Sequence, residues 1–406
     1  MISTRTILEA LFVTLAHAAI HNRLEFEPPV SMGEGTAWMS GFVRMGPETG
    51  TSTVFVGPRG RSWVSSRDGG STWIDEPALT TAGSFFPSIL SEDELSRTNF
   101  GNVSSYNSSL LYTRFEGEGA QQLHLDPVTK KLSVTPIGDK ITVDGIPEPG
   151  VRPLRLTGAD SLQLHDGTWL LSAMTWKPPP GGNCSSTNCT EYSLLAFRSH
   201  NGFAWNYSGV IASATSVPYA EEGPSENGMA QLPSGDIVCV FRVNGGDGLH
   251  HRHLPYALTK STDNGFTWSE PLTLPVGVGT ARPKLRALQS GGLLLGGGRT
   301  GNFNRDVYLW TNDGKNLSDW QPYAISYWHN LLCNKSRDFN ASNPYGPMIP
   351  FDKKVNSSSW PGESSSYNSL LFLNETTFVI TYSQWRHHMG ALWRDFAMLV
   401  RIVTPS

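Results

Sequence analysis

Charged side chains are scarce in this 406-residue chain: Asp, Glu, Lys and Arg together make up only 16% of it. That scarcity disfavours long surface helices and suits short strands joined by tight turns. The formal net charge is −4, so no positive excess exists to hold nucleic acid or an anionic membrane surface. Beyond the N-terminus there is no apolar run of ~18 or more residues, which excludes a spanning helix of ordinary length. Cysteine is sparse as well, with four residues. The glycine-rich GGLLLGGGR lacks the Lys-Ser/Thr and following helix of a phosphate loop. No cofactor is indicated, and its glycines read as places where strands approach closely.

What the chain has is Gly (41), Pro (27) and Trp (13), a composition of turns and packed strands. The length fits two domains or one large all-β domain. The first residues, MISTRTILEALFVTLAHAA, carry Arg5, an apolar run and small residues at Ala16 and Ala18. They predict a signal peptide over residues 1–18 and a single mature domain over residues 19–406. Asn-x-Ser/Thr acceptors at Asn102, Asn107, Asn183, Asn188, Asn206, Asn316, Asn334, Asn340, Asn356 and Asn374 agree with a secreted glycoprotein. Cys184 and Cys189, in PPPGGNCSSTNCT, are expected to pair with each other. Cys239, inside IVCVFR, reads as a small buried hydrophobe, with a bond to Cys333 left open.

Self-similarity is the strongest signal. GADSLQLHDGTWLLSAM, ENGMAQLPSGDIVCVFR, RPKLRALQSGGLLLGGGR and YNSLLFLNETTFVITYS align on Leu164, Leu232, Leu288 and Leu373. Each is an apolar run, a short turn and a second apolar run, the pattern of a β-hairpin. A third strand then ends in Ser-x-Asp-x-Gly-x-x-Trp or a worn form of it. Intact copies are SRDGGSTW (66–73) and STDNGFTW (261–268), and worn ones are SHNGFAW (199–205) and TNDGKNLSDW (311–320). The tryptophan spacings fit blades somewhat longer than the ~40–45 residues of common propeller repeats. SSLLYTRFEGEGAQQLHLDPVTKKLSVTPI supplies a further unit without the motif. The prediction is an all-β, six-bladed β-propeller of four-stranded antiparallel blades. Four copies around a ring cannot all line one site, so the motif is a turn: Asp binds backbone N–H groups and Gly takes the positive φ. It offers too few oxygens for a calcium loop.

These units resemble the sialidase (neuraminidase) family, whose six-bladed propellers carry the same motif as an "Asp box". Six residues before the anchor leucines stand Gly158, Glu226, Arg282 and Tyr367, positions that a propeller brings to one end of its channel. The resemblance implies an exo-sialidase with Tyr367, in SYNSL, as nucleophile and Glu226 as its base. Arg242, sixteen residues after Glu226, and Arg305, in RDVYLWTNDG, would bind the substrate carboxylate, with Arg299 as a competitor for Arg305 and Arg282 beside them. Tyrosine suits this substrate, because the carboxylate of a sialic acid repels a carboxylate nucleophile. A phenol with a pKa of ~10 needs a neighbouring base, and an arginine fork binds a carboxylate in two places. The implied partners are sialylated or other acidic-sugar glycoconjugates.

The first unit departs from the family. It has no Arg-Ile-Pro and no Asp ahead of Asp68, leaving Arg44, Arg59 and Arg61 for the first arginine and Glu34 or Glu48 for the acid. Arg155, in RPLRLTG, falls in the third unit. That divergence keeps a second expectation open, a non-catalytic carbohydrate-binding or structural propeller. His250, His251 and His253, in GLHHRHLPY, lack an obvious fourth ligand and read as a rim loop, so no metal is expected.

Overall fold

The computed structural model describes residues 22–34, 42–45, 53–59, 62–80, 96–98, 109–113, 121–126, 128–136, 142–146, 160–177, 191–201, 204–220, 222–244, 254–279, 281–298, 307–333, 364–386 and 392–403. The predicted signal peptide, Cys184, Cys189, Arg61, Glu48, Arg155, Gly158, the histidine run, Arg299 and Arg305 lie outside these residues. The side chains of Glu34, Arg59 and Cys333 are outside them too.

Two short strands open the described chain, β1 (Arg23–Phe26) and β2 (Val30–Glu34). Then come β3 (Val43–Met45), β4 (Val54–Arg59), β5 (Ser62–Ser66) and β6 (Ile74–Asp75), one antiparallel sheet, followed by the single turn of α1 (Pro77–Thr80). The next sheet holds β7 (Ser96–Thr98), β8 (Ser109–Thr113), β9 (Gln121–Leu125) and β10 (Leu132–Pro136). The third contains β11 (Thr142–Asp144), β12 (Asp160–Gln163), β13 (Trp169–Lys177), β14 (Glu191–Ser199) and β15 (Ala204–Ser213). β16 (Gly223–Gln231), β17 (Ile237–Asn244), β18 (Ala257–Ser261) and β19 (Leu272–Thr273) make the fourth. β20 (Lys284–Ala287), β21 (Leu293–Gly298), β22 (Val307–Asn312) and β23 (Gln321–Ala324) make the fifth, and α2 (Ile325–Cys333) follows it. Last come β24 (Ser364–Asn374), β25 (Thr377–Arg386) and β26 (Leu392–Val403), completed by β1 and β2, which both pair with β26.

This is an all-β propeller built mainly of four-stranded antiparallel blades. Described side chains establish the packing of five blades rather than the expected six. In the β7–β10 sheet, side chains are described only around the hairpin from Leu125 to Leu132. The blades are also less uniform than the repeat implies. β11 adds a fifth, parallel strand beside β15, and the last blade borrows its outer strands from the start of the chain. Neither addition carries the repeat pattern, since edge strands of three to five residues need no second apolar face.

The hairpins follow their turn chemistry. Leu164, Leu232 and Leu288 each accept a hydrogen bond from the glycine three residues on, Gly167, Gly235 and Gly291. Those glycines have φ of 83°, 95° and 86°, the left-handed residue of a three-residue hairpin loop. The core lies between blades. Leu170 and Leu194 meet Met229, Ile237 and Phe241; Val238 and Val240 meet Leu293, Leu295 and Trp310; Leu294 and Leu309 meet Phe378, Ile380 and Phe396; Leu371 and Val379 meet Phe55 and Val64. Cys239 is buried in the first of these clusters and is a free thiol, so the bond to Cys333 left open by the sequence is not formed. Burial pushes that thiol well above its ordinary range, which suits a hydrophobe and not a nucleophile.

The two intact Ser-x-Asp-x-Gly-x-x-Trp copies close the third strand into the fourth with the same bonds. Ser66 and Ser261 donate to Asp68 and Asp263 at 2.9 and 2.8 Å, and accept from the N–H of Gly70 and Gly265 at 2.8 Å in both. The aspartates accept from Thr72 and Thr267, and Trp73 and Trp268 donate back to the glycine carbonyls. A Cβ on Gly70 would lie 2.8 Å from Val379, and one on Gly265 would lie 2.8 Å from Leu170. Each turn therefore docks on the blade before it, and glycine is required for the approach as well as for φ. In the worn copies Asn201 accepts from Ala204, and Asp313 accepts from Lys315 and Asn316.

Burial works against the charge of Asp263, but bonds from Thr267, Ser261 and Phe266 outweigh it and bring its pKa from 3.8 down to about 2. A carboxyl depressed on folding contributes stability above its unfolded value of 3.8, lost as pH falls through about 2. Asp263→Ala is expected to cost about 1–2 kcal/mol at pH 7, the worth of the lost hydrogen bonds to an exposed carboxylate. Urea unfolding at pH 7 and pH 3 checks this. The gap from wild type should shrink at the lower pH, and an equal gap at both would remove the charge from the explanation.

Candidate active site

Glu226 lies on β16 and Tyr367 on β24, the first strands of two different blades. Both strands lose regular register at these residues. The β16–β17 pairing shifts between Pro224 and Asn227, and the β24–β25 pairing shifts between Ser364 and Asn368. An irregularity of this kind re-aims a side chain that the pleat would otherwise send into the sheet. The result is a buried contact across the molecule: the Tyr367 hydroxyl donates to Glu226 Oε1 at 2.9 Å. On the other carboxylate oxygen, Arg242 of β17 donates to Glu226 Oε2 at 3.0 Å.

Three of the residues singled out in the sequence thus form one chain of contacts: tyrosine, glutamate, arginine. Tyr367 and Glu226 are 6% and 9% exposed, which leaves each group only a narrow opening. Burial opposes the charge of Arg242, yet Glu226 and Tyr367 beside it more than offset that and hold the guanidinium above its ordinary range. With one N–H committed to Glu226, the arginine fork keeps further donors for an anion.

Arg282 is also buried, two residues before the start of β20, at the position equivalent to Glu226. Its strand passes close to that of Glu226: a Cβ on Gly228 would come within 2.8 Å of the Pro283 carbonyl. Arg44, a candidate for the missing first arginine, is placed elsewhere. It is half-buried and donates to the Phe372 carbonyl at 3.0 Å, five residues beyond Tyr367 on β24. Arg299 and Arg305 remain outside the described residues, as do the side chains of Glu34 and Arg59.

Sequence reasoning missed two features. The asparagines after the site residues, Asn227 and Asn368, are fully buried and face neighbouring blades. Asn227 accepts from Ser172 of β13, and Asn368 lies against Gly296 of β21, which has no room for a Cβ. The shared Glu-Asn and Tyr-Asn order was the available signal. The second feature is Tyr256, fully buried, whose hydroxyl donates to the Ala281 carbonyl at 3.1 Å and accepts from the Gly298 N–H at 3.3 Å. Burial pushes the Tyr256 phenol well above the ordinary tyrosine range, with the Glu226 charge adding to the effect. Tyr256 therefore stays protonated, whereas Tyr367 is the tyrosine in contact with a base. No group of three or more His, Cys, Asp or Glu among the described residues is arranged to hold a metal.

A crystal structure of a protein of unknown function from Dyadobacter fermentans superposes on this chain with a TM-score of 0.55 at 13% identity, over 93% of this chain and 99% of that one. The likeness is one of fold. The glycosidases among the similar structures are more distant. A Hadza microbial sialidase gives a TM-score of 0.48 at 12% identity, over 91% of this chain and 68% of its own. An α-L-arabinofuranosidase of Fusarium graminearum gives 0.47 at 12%, over 93% and 98%. No protein-family model matches the chain, and a search of curated proteins finds no match.

Proposed function

We propose that the protein is a glycoside hydrolase of the sialidase type, releasing terminal sialic or related nonulosonic acids from glycoconjugates. One observation carries this reading: the buried 2.9 Å hydrogen bond from the Tyr367 hydroxyl to Glu226. A tyrosine aimed at a carboxylate that is itself fixed by an arginine is what a phenol nucleophile requires.

In the proposed reaction Glu226 takes the phenolic proton as Tyr367 Oη attacks the anomeric carbon. The glycosidic bond breaks, and the leaving oxygen takes a proton from an acid, for which Glu34 and Glu48 are the candidates. Water, giving its proton to the acid that spent one in the first step, then adds its oxygen to the anomeric carbon as the tyrosyl-sugar bond breaks, and Glu226 returns its proton to the phenolate. Arg242, with Arg282 and either Arg305 or Arg299, would bind the carboxylate that makes a carboxylate nucleophile unsuitable. The proposal extends to the secretory pathway on the predicted leader and the glycan acceptors, of which Asn206, Asn316 and Asn374 are exposed.

The test is turnover of a fluorogenic sialoside by the purified protein across a broad acidic pH range. Glu226→Ala is expected to lower kcat by about 10²–10⁴, the usual contribution of a positioned base. Retained sialoside binding with no turnover above that variant would sink the hydrolase and leave a carbohydrate-binding propeller in its place.

A further inference from the structure

The loop ahead of β20 delivers Arg282, and one residue of the adjacent blade governs its course. Tyr256, just before β18, donates its backbone N–H to Val278 at 2.9 Å and accepts at its carbonyl from Leu274 at 2.8 Å. Its neighbour Pro255 forms an isolated bridge with Gly279, whose N–H in turn donates to Gly298 at 3.0 Å. The side chain completes the hold. Its hydroxyl reaches Ala281 on one side and Gly298 on the other, joining the loop to the end of β21.

Ala281 is unusual in its own right. Its φ is 59°, in the left-handed region that an alanine enters only when its surroundings compel it, and it is 2% exposed. The Tyr256 bond grips the carbonyl of this strained residue, one peptide before Arg282. Gly297 shows how closely the hydroxyl is packed, because a Cβ there would collide with the Tyr256 oxygen.

We propose that Tyr256 is a positioning residue of the candidate active site: by holding the Ala281 carbonyl it sets the left-handed turn that presents Arg282 for binding the carboxylate of an acidic sugar. This rests on the proposal that the site takes such a sugar, but not on its hydrolysis. The hydroxyl is committed to two backbone groups and is protonated at working pH, so Tyr256 acts through Arg282 and takes no part in proton transfer.

The test compares binding of N-acetylneuraminic acid with binding of its methyl ester, which keeps the sugar and removes the charge. Wild type should prefer the acid. Arg282→Ala should reduce that preference on the order of tenfold or more, the scale of a lost charge-assisted hydrogen bond. Tyr256→Phe, which removes only the oxygen, should reduce it several-fold, and Tyr256→Phe with Arg282→Ala should be no worse than Arg282→Ala alone. Should Tyr256→Phe fail to fold, Gly297→Ala displaces the same hydroxyl without deleting it and should give the same loss. An unchanged preference in the folded variant, additive losses in the double variant, or no preference in wild type would overturn the proposal. Absent sialoside turnover with the preference present, and lost in Tyr256→Phe, would sink the hydrolase and leave this inference standing.

Discussion

Tyr367→Phe is expected to lower sialoside turnover by on the order of 10³-fold or more, with KM changed only a few-fold. The substitution deletes one oxygen and leaves the ring that fills the space at the start of β24. What goes is the atom that would form the bond to the sugar and the donor to Glu226 Oε1. Glu226 keeps Arg242 on its other oxygen at 3.0 Å, so the carboxylate stays oriented and sugar binding survives. Stability should fall by about 1–3 kcal/mol, because a buried acceptor loses its partner. A parallel rise in KM with kcat unchanged would show that the hydroxyl binds substrate and does not attack it. The Glu226→Ala and Tyr367→Phe losses should also fail to add, because a base at Glu226 would have no function without a nucleophile at Tyr367.

Gly228→Ala is expected to lower both stability and turnover although it touches no reacting atom. Its Cβ would lie 2.8 Å from the Pro283 carbonyl oxygen and 3.0 Å from the Leu285 nitrogen, both backbone atoms that cannot rotate away. The first strands of two blades, β16 and β20, would have to separate. Overpacking of this kind costs about 1–3 kcal/mol. The same separation moves Glu226, two residues earlier on the strand, and a misplacement of about 1 Å can cost on the order of 10²-fold in rate. Gly235→Ala is the control. Gly235 has a φ of 95° and nothing within 4 Å of its Cβ direction, so that variant loses turn conformation alone. Urea unfolding and sialoside turnover on both variants check the expectation. A Gly228→Ala protein as active as Gly235→Ala would remove close strand approach from the account of the site.

Much of the blade architecture was legible because each unit repeats the same local physics. A leucine, a turn glycine with positive φ and two apolar runs make a hairpin wherever they occur, and Leu164, Leu232 and Leu288 do so with the same pair of backbone bonds. The Ser-x-Asp-x-Gly-x-x-Trp turns were legible for the same reason, since the Ser–Asp, Ser–Gly, Asp–Thr and Trp–Gly bonds that both copies share all lie within eight residues. The parallel strand β11 and the joining of β1 and β2 to β26 were not legible. They are pairings between distant segments that carry no repeat, and α2 is a nine-residue helix among described residues that are mostly strands.

The candidate site divides along the same line. Register from the anchor leucines marked Glu226, Arg282 and Tyr367 as equivalent, and the Glu226–Arg242 spacing pointed to one hairpin. These are properties of local order, and the sequence by itself determined them. That the Tyr367 hydroxyl meets Glu226, 141 residues away in the chain, depended on ring closure and on irregular register in two strands. The left-handed Ala281 and the hydroxyl of Tyr256 that holds it likewise belong to contacts between blades. Only the tertiary structure decided these, because a strained backbone and an off-pleat side chain exist where the surrounding packing outweighs local preference.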